Sequence, residues 1–478
     1  MSVHQNFIAG EWRTSSETCR NINPSDTDEV VGEYALADIS DTERAISAAT
    51  EAFPGWSNSG IQQRFDILDA IGTEILARKV ELGRLLAREE GKTLPEAIGE
   101  SARAGQIFKF FAGEALRLTG ELVPSVRPGI NVEITREPVG VVGVVTPWNF
   151  PIAIPAWKIA PALAFGNCVV FKPASLVPGS AWALADIISR SGLPKGVFNL
   201  AMGPGSIVGN ALLEDSRIGA VSFTGSVETG RRVATACAAR GAKFQLEMGG
   251  KNPLVVLNDA DIDIAVDCAV QGAFFSTGQR CTASSRLIVE DGIHEQFVDA
   301  MVTATQSLRV GNAIEETTQI GPVVDQTQYD QDVDYIGIGR TEGATLAIGG
   351  EPVEGQTPGY YLSPALFVDT HNDMRINREE IFGPVATVIK VADQDEAIAV
   401  ANDTDFGLST GICTRSMAAA ERFKQASRAG MVMINLPTAG VDYHVPFGGI
   451  KASSYGAREQ GSYAAEFYTT VKTAYVSP

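Results

Sequence analysis

The stretch Phe275–Ser285, FSTGQRCTASS, sets one of only six cysteines in a short polar segment. Cys281 stands between Arg280 and Thr282, with Gly278 three residues before it. A nucleophilic cysteine has to be partly exposed and able to ionise, and nearby positive charge or N–H groups favour the thiolate. The other five have blander settings: Cys237 in an alanine-rich helical run, Cys268 in VDCAV, Cys168 opening an apolar strand, Cys413 near a turn and Cys19 in a polar N-terminal segment. In FQLEMGGKNPLVVL, Glu247 sits between apolar residues, where an ionised carboxylate is costly and its pKa rises towards that of a general base. VVFKPAS (Val169–Ser175) is a buried strand ending in Lys172, and ligands of open α/β sheets bind beyond the carboxyl ends of strands. VSFTGSVETGRR (Val221–Arg232) runs a strand through Gly225 and Gly230 into a helix whose first N–H groups could meet a phosphate. Its G-x4-G spacing is not the dinucleotide fingerprint. Each stretch taken alone also admits a plain reading as a loop thiol, a snorkelling glutamate, a surface lysine or a simple strand–turn–helix connection.

The elements that must position these groups alternate. Thr42–Gly120 shows apolar residues three and four apart, which predicts helices. Then come the alternating strand INVEITREPV, the apolar strand VGVVGVVTP, the helix KIAPALAFGN, the strand CVVFKPA, GVFNLAMG, a helix near Ile207–Glu214, and AVSFTGS. That rhythm belongs to a parallel sheet covered on both faces. A second alternation runs from LVVLNDADIDIAVDCAV to GMVMINLP. The terminal VKTAYVS is a short alternating strand that could pair with VEITRE as an arm outside both domains.

A chain of 478 residues, 45% hydrophobic and 20% charged, has the composition of a globular protein of two or three domains. Its formal charge of −19 argues against nucleic acid or an anionic membrane surface as a partner. Pro138–Trp157 carries no charge, but four prolines break it too often for a spanning helix. No signal-peptide pattern opens the chain, and the cysteines lack CxxC spacing, so reduced thiols and a cytoplasmic location are expected. Four scattered histidines form no metal-ligand pattern.

Together with TPWNFP (Thr146–Pro151), EEIFGPV (Glu379–Val385) and PFGGIK (Pro446–Lys451), these stretches resemble the aldehyde dehydrogenase superfamily, in the family's chain order and across essentially the whole chain. The resemblance implies an α/β fold of two parallel-sheet domains with a small β oligomerisation arm. The cofactor domain, an atypical Rossmann unit, would cover 1–117 and 139–248, the catalytic domain 249–448, and the arm with the C-terminal segment 118–138 and 449–478. It implies that Cys281 is the nucleophile, Glu247 the base and Asn149 the oxyanion donor. For NAD or NADP it implies Thr146, Pro147, Trp148, Lys172, Ser175, Gly205, Phe223, Gly225, Ser226, Gly230, Glu380 and Phe382. Phe150, Trp157, Phe275, Arg280, Thr282, Phe447 and the Leu436–His444 loop are the expected substrate walls.

Common NAD-specific members carry a glutamate where this chain has Ser175; the small hydroxyl does not repel a 2′-phosphate, so NADP is admitted. CoA-acylating members usually lack the base, so Glu247 argues for hydrolysis of the acyl group. ELVPSVRPGINVEITREPVG, SSRLIVEDGIH and REQGSYAAEFYTTVKTAY resemble the bacterial 2-oxoglutarate semialdehyde (2,5-dioxopentanoate) dehydrogenases, with succinate semialdehyde dehydrogenases the alternative. Either substrate is a small aldehyde with a carboxylate, and a homodimer or homotetramer is expected. Outside the family, a cysteine hydrolase and a non-catalytic protein are the alternatives.

Overall fold

The β-branched apolar runs form the centres of two sheets in the computed structural model, which describes residues 2–477. Val141–Val145 lies inside the first, flanked in parallel by Ile218–Thr224 and Cys168–Lys172, with Lys243–Glu247 and Phe198–Leu200 beyond them. Strands buried on both faces need no alternation, which is why VVGVV and CVVFK read as unbroken apolar runs. Antiparallel strands close both edges: Ser454–Tyr455 on one side, Asn6–Ile8 and Glu11–Arg13 on the other.

The second sheet is parallel except at one edge, in the order Thr345–Ile348, Ala365–Thr370, Val385–Val391, Arg286–Glu290, Pro253–Val256, Ser409–Cys413, Met431–Ile434. Thr469–Val476 pairs antiparallel with Asn131–Pro138 from end to end, and Glu121–Pro124 completes a three-stranded arm. The C-terminal segment thus serves the first sheet at Ser454–Tyr455 and enters the arm only at Thr469.

Two helices carry the first domain's contribution to the site. Leu94–Ala115 starts with a capping box in which Thr93 and Glu96 satisfy each other's backbone N–H groups. Ala153–Ala164 is buried on every side. Its first turn would leave N–H groups unpaired, but Glu100 Oε1 accepts from the N–H groups of Ile152 and Ala153 at 3.0 and 3.1 Å. Among the described residues no helix is long and apolar enough to cross a membrane, and none of the six cysteines is in a disulfide.

Candidate active site

Two clefts of about 350 Å³ each meet at Cys281. The segment before it is a left-handed turn: Ser276, Thr277 and Gly278 have φ of 52°, 56° and 67°. Such values are costly for residues other than glycine, and this turn is held from several directions. Glu96, whose Oε2 serves the capping box, uses Oε1 to accept from the Ser276 N–H at 2.9 Å and from Arg280 at 2.8 Å. Asn252 Nδ2 donates to the Cys281 carbonyl at 2.8 Å, and Gln279 Oε1 accepts from the Val324 N–H at 3.0 Å. Both domains therefore fix the cysteine loop.

Cys281 is half-buried, and its pKa is pushed up to about 12 by burial first and then by the Glu380 and Glu247 carboxylates. Its own backbone N–H opposes that shift. Asn149 is buried beside it, donating one amide N–H to the Gln279 carbonyl at 3.0 Å and keeping the other. The Asn149 carbonyl accepts from Lys92 Nζ at 2.7 Å, and Lys92 pairs with Glu100 at 2.6 Å. Neither Lys92 nor Glu100 stands out in the sequence, because the partners lie eight residues apart and their meeting depends on the fold.

Glu247 is buried, and burial followed by the nearby Glu459 carboxylate raises its pKa well above the ordinary range. It lines neither cleft. Instead Ser454 Oγ donates to Glu247 Oε2 at 2.5 Å across the edge strand. Glu459 is ion-paired with Lys158, both fully buried, and Lys158 also donates to Ser222 Oγ at 3.0 Å. A signal for this pair existed: Lys158 is the only charge between Glu137 and Lys172, and a lysine in an all-apolar helix needs a buried partner.

The second cleft is lined by Pro147, Trp148, Asn149, Gly225, Ser226, Glu380 and Phe382 among others. Phe382 has φ 67° and meets Trp148 edge to face at 5.4 Å. Glu380 folds against Gly249–Gly250, accepting from the Gly250 N–H at 2.8 Å, and burial lifts its pKa to about 7. Gln328 and Gln331, unsuspected from sequence, both line this cleft and donate to the Ile381 carbonyl at 2.9 and 2.8 Å, bracing the loop that carries Phe382. Ser226 caps the helix Val227–Ala239, whose N-terminus opens beside this cleft.

Lys172 is buried at the end of its strand without a carboxylate, and its pKa falls to about 8. Ser175 Oγ reaches only the Gly203 carbonyl, at 3.5 Å, and Gly205 is exposed beyond the same sheet edge. The Thr146 and Thr224 hydroxyls are buried without a partner. A dinucleotide fits this groove: it has a helix N-terminus, a lysine without a counter-ion and orphaned hydroxyls on one sheet edge.

Two expected cofactor residues sit elsewhere. Gly230 lies one turn inside the helix, where a Cβ would fall 2.3 Å from Met248 Sδ, so the glycine lets helix and sheet approach. Phe223 is buried behind the turn, its ring 2.6 Å from where a Cβ on Gly225 would be.

The first cleft is lined by Phe150, Trp157, Arg280, Thr282 and Phe447, with Ala439–Val441 as the only part of the 436–444 loop that reaches it. Trp157 and Phe447 meet at 5.4 Å with their rings tilted by 31°, and Lys92 lies 3.7 Å over the Phe150 ring. Phe275, expected in this wall, does not line the cleft: its half-buried side chain packs against the second domain's core, and Ser276 lines the cleft instead. Arg280 reaches the cleft but is held by Glu96 and Ser276 Oγ. Arg103 and Gln460, which sequence reasoning passed over, line it as well.

The model of the "Aldehyde dehydrogenase family" matches residues 12–474. An alpha-ketoglutaric semialdehyde dehydrogenase of Bacillus subtilis is 44% identical, the match covering 100% of this chain and 99% of that one. A 2,5-dioxopentanoate dehydrogenase of Saccharolobus solfataricus is 40% identical, with 98% of each chain covered. The crystal structure of betaine aldehyde dehydrogenase from Staphylococcus aureus in complex with NAD+ superposes with a TM-score of 0.97 at 34% identity, covering 99% of this chain and 95% of that one. The match over nearly the full length, with both sheets and the arm in place, means that this chain belongs to the aldehyde dehydrogenase family.

Proposed function

We propose that the enzyme oxidises a semialdehyde bearing a carboxylate, 2-oxoglutarate semialdehyde in the first place, with NAD(P)+ and water, to the carboxylate, NAD(P)H and protons. The observation that carries this reading is the meeting of two separate clefts at one cysteine, one cleft suited to a dinucleotide and the other lined by three basic side chains of which two are paired with carboxylates and Arg103 is not. The names of the two semialdehyde relatives support the substrate.

The Cys281 thiol gives its proton to solvent in the cleft as its sulfur adds to the aldehyde carbon, and the oxygen that gains charge takes hydrogen bonds from the spare Asn149 N–H and the Cys281 N–H. Lys92 holds the Asn149 carbonyl, so the amide is aimed before substrate arrives. The nicotinamide, when bound in the second cleft, supplies the acceptor for the hydride that leaves the Cys281-bound carbon. What remains on Cys281 is a thioester. Glu247 then leaves Ser454, swings towards the cleft and takes a proton from the water that attacks the thioester. Its raised pKa makes it a stronger base once it is ionised.

Pro147, Trp148, Phe382 and Glu380 would hold the nicotinamide half of the cofactor. Ser226, Gly225 and the helix N-terminus would meet its diphosphate, and Lys172 with Ser175 its adenosine ribose. No carboxylate stands at Ser175 to repel a 2′-phosphate, so both cofactors are accepted. The arm exposes Leu122, Val471 and Tyr475, each at least 60% accessible, and a homo-oligomer would cover them.

The test is kcat/KM for 2-oxoglutarate semialdehyde, succinate semialdehyde and pentanal. The first should lead, with pentanal behind by roughly 10²-fold. Pentanal equal to or better than the semialdehydes would contradict the reading.

A further inference from the structure

Five charged side chains line the substrate cleft: Lys92, Arg103, Arg280, Glu96 and Glu100. Four are committed to one another. Lys92 pairs with Glu100 at 2.6 Å and Arg280 with Glu96 at 2.8 Å. Both carboxylates are further engaged by backbone N–H groups, Glu100 by Ile152 and Ala153 and Glu96 by Ser276. Arg103, half-buried on the helix Leu94–Ala115, makes no ion pair or hydrogen bond among the described residues. Burial lowers its pKa, while the exposed Asp442 and the committed Glu100 oppose that shift from a distance. A guanidinium in such a place lacks the bidentate partner its geometry favours.

A second group in the same wall is also unpaired. Gln460 is fully buried, and neither its Nε2 nor its Oε1 has a hydrogen-bond partner. A buried amide with both ends unsatisfied is expensive and rare in a folded protein. It lines the cleft together with Cys281 and Arg103, and the aromatic sides of Phe150, Trp157 and Phe447 lie in the same walls.

We propose that Arg103 and Gln460 form the subsite for the 2-oxo acid end of the substrate, Arg103 binding the carboxylate and the Gln460 amide donating to the adjacent oxo oxygen. The aromatic walls take the methylenes between that end and the aldehyde at Cys281. Arg280 stays with Glu96, shaping the cysteine loop. This rests on the semialdehyde reading above.

Three aldehydes of equal chain length separate the two roles. Glutarate semialdehyde lacks the oxo group of 2-oxoglutarate semialdehyde, and pentanal lacks the carboxylate as well. In R103Q the kcat/KM ratio of glutarate semialdehyde to pentanal should fall by roughly 10- to 100-fold, mostly through KM, with pentanal itself little changed. R103K, which keeps the charge but loses the fork, should fall between wild type and R103Q. In Q460L the ratio of 2-oxoglutarate semialdehyde to glutarate semialdehyde should fall by roughly tenfold while the carboxylate preference stays. Cofactor binding and the melting temperature of each variant confirm that the fold is intact. A wild type without carboxylate preference would overturn the functional reading itself. A wild type with that preference, kept in both R103Q and R103K, would overturn the subsite and hand the carboxylate to Arg280.

Discussion

In the free protein Cys281 is a thiol rather than a thiolate, because burial and the carboxylates of Glu380 and Glu247 hold its pKa near 12. Alkylation of the cofactor-free enzyme by iodoacetamide should therefore climb roughly tenfold per pH unit from pH 7 to 10 without levelling. A plateau below pH 9 would show that some group lowers the pKa instead. Glu247→Gln keeps the size of the side chain but cannot accept a proton, so rapid mixing should show a burst of reduced cofactor followed by slow turnover. Loss of the burst would give Glu247 an earlier duty, such as activating the thiol. Lys172 adds a cofactor test. Its pKa near 8 means that it is charged below pH 8 and loses its proton above it, whereas a bound 2′-phosphate favours the charged form. NADP+ affinity should consequently drop, relative to NAD+, as pH rises from 8 to 10, and K172M should abolish that difference. Equal pH dependence for both cofactors in wild type would place Lys172 away from the 2′ position. Cys281, Glu247 and Lys172 can be picked out in the sequence because each breaks the composition around it. Lys92 and Glu100 cannot, since each becomes notable only through a partner brought in by the fold, and Glu459 shows only through the need of Lys158 for a buried partner.

At the scale of elements, the turn Ser276–Gly278 decides where the cysteine stands. Gly278 has φ 67°, and a Cβ there would fall 2.1 Å from the Gly383 carbonyl oxygen. Gly278→Ala should cost at least about 1–3 kcal/mol for the backbone alone, read as a lower denaturant midpoint, and should displace the loop and depress kcat. Unchanged stability and kcat would mean that the turn is not needed to aim Cys281. The glycine's importance is visible in the sequence, but the left-handed Ser276 and Thr277 are not, and Phe275, expected in the substrate wall, packs against the core instead. The sheets were easier. Short β-branched runs ending in glycine, proline or lysine suit strands buried on both faces, and VVGVV, CVVFK and AVSFT form central parallel strands. Gly230 shows the limit of this kind of reading: glycine serves close packing as readily as it serves a phosphate turn.

For the whole molecule, the arm is the feature that looks outward. Thr469–Val476 is exposed along nearly its whole length although it is paired with Asn131–Pro138, so one face of this small sheet has no cover among the described residues. Replacing Val471 and Tyr475 together by aspartate should shift the protein to a smaller species in light scattering after size exclusion. A wild type that is already monomeric would remove the oligomer from the account. The pairing of two strands more than three hundred residues apart rested in the sequence only on their shared alternation. What alternation cannot supply is which copy, if any, the open face meets.

The central claim, a thioester on Cys281 formed between the two clefts, can be caught directly. E247Q mixed with 2-oxoglutarate semialdehyde and oxidised cofactor, quenched in acid and digested, should yield an acyl adduct on the peptide containing Cys281. The adduct should be labile to hydroxylamine and absent without cofactor. No adduct, or one on any other cysteine, would contradict the account.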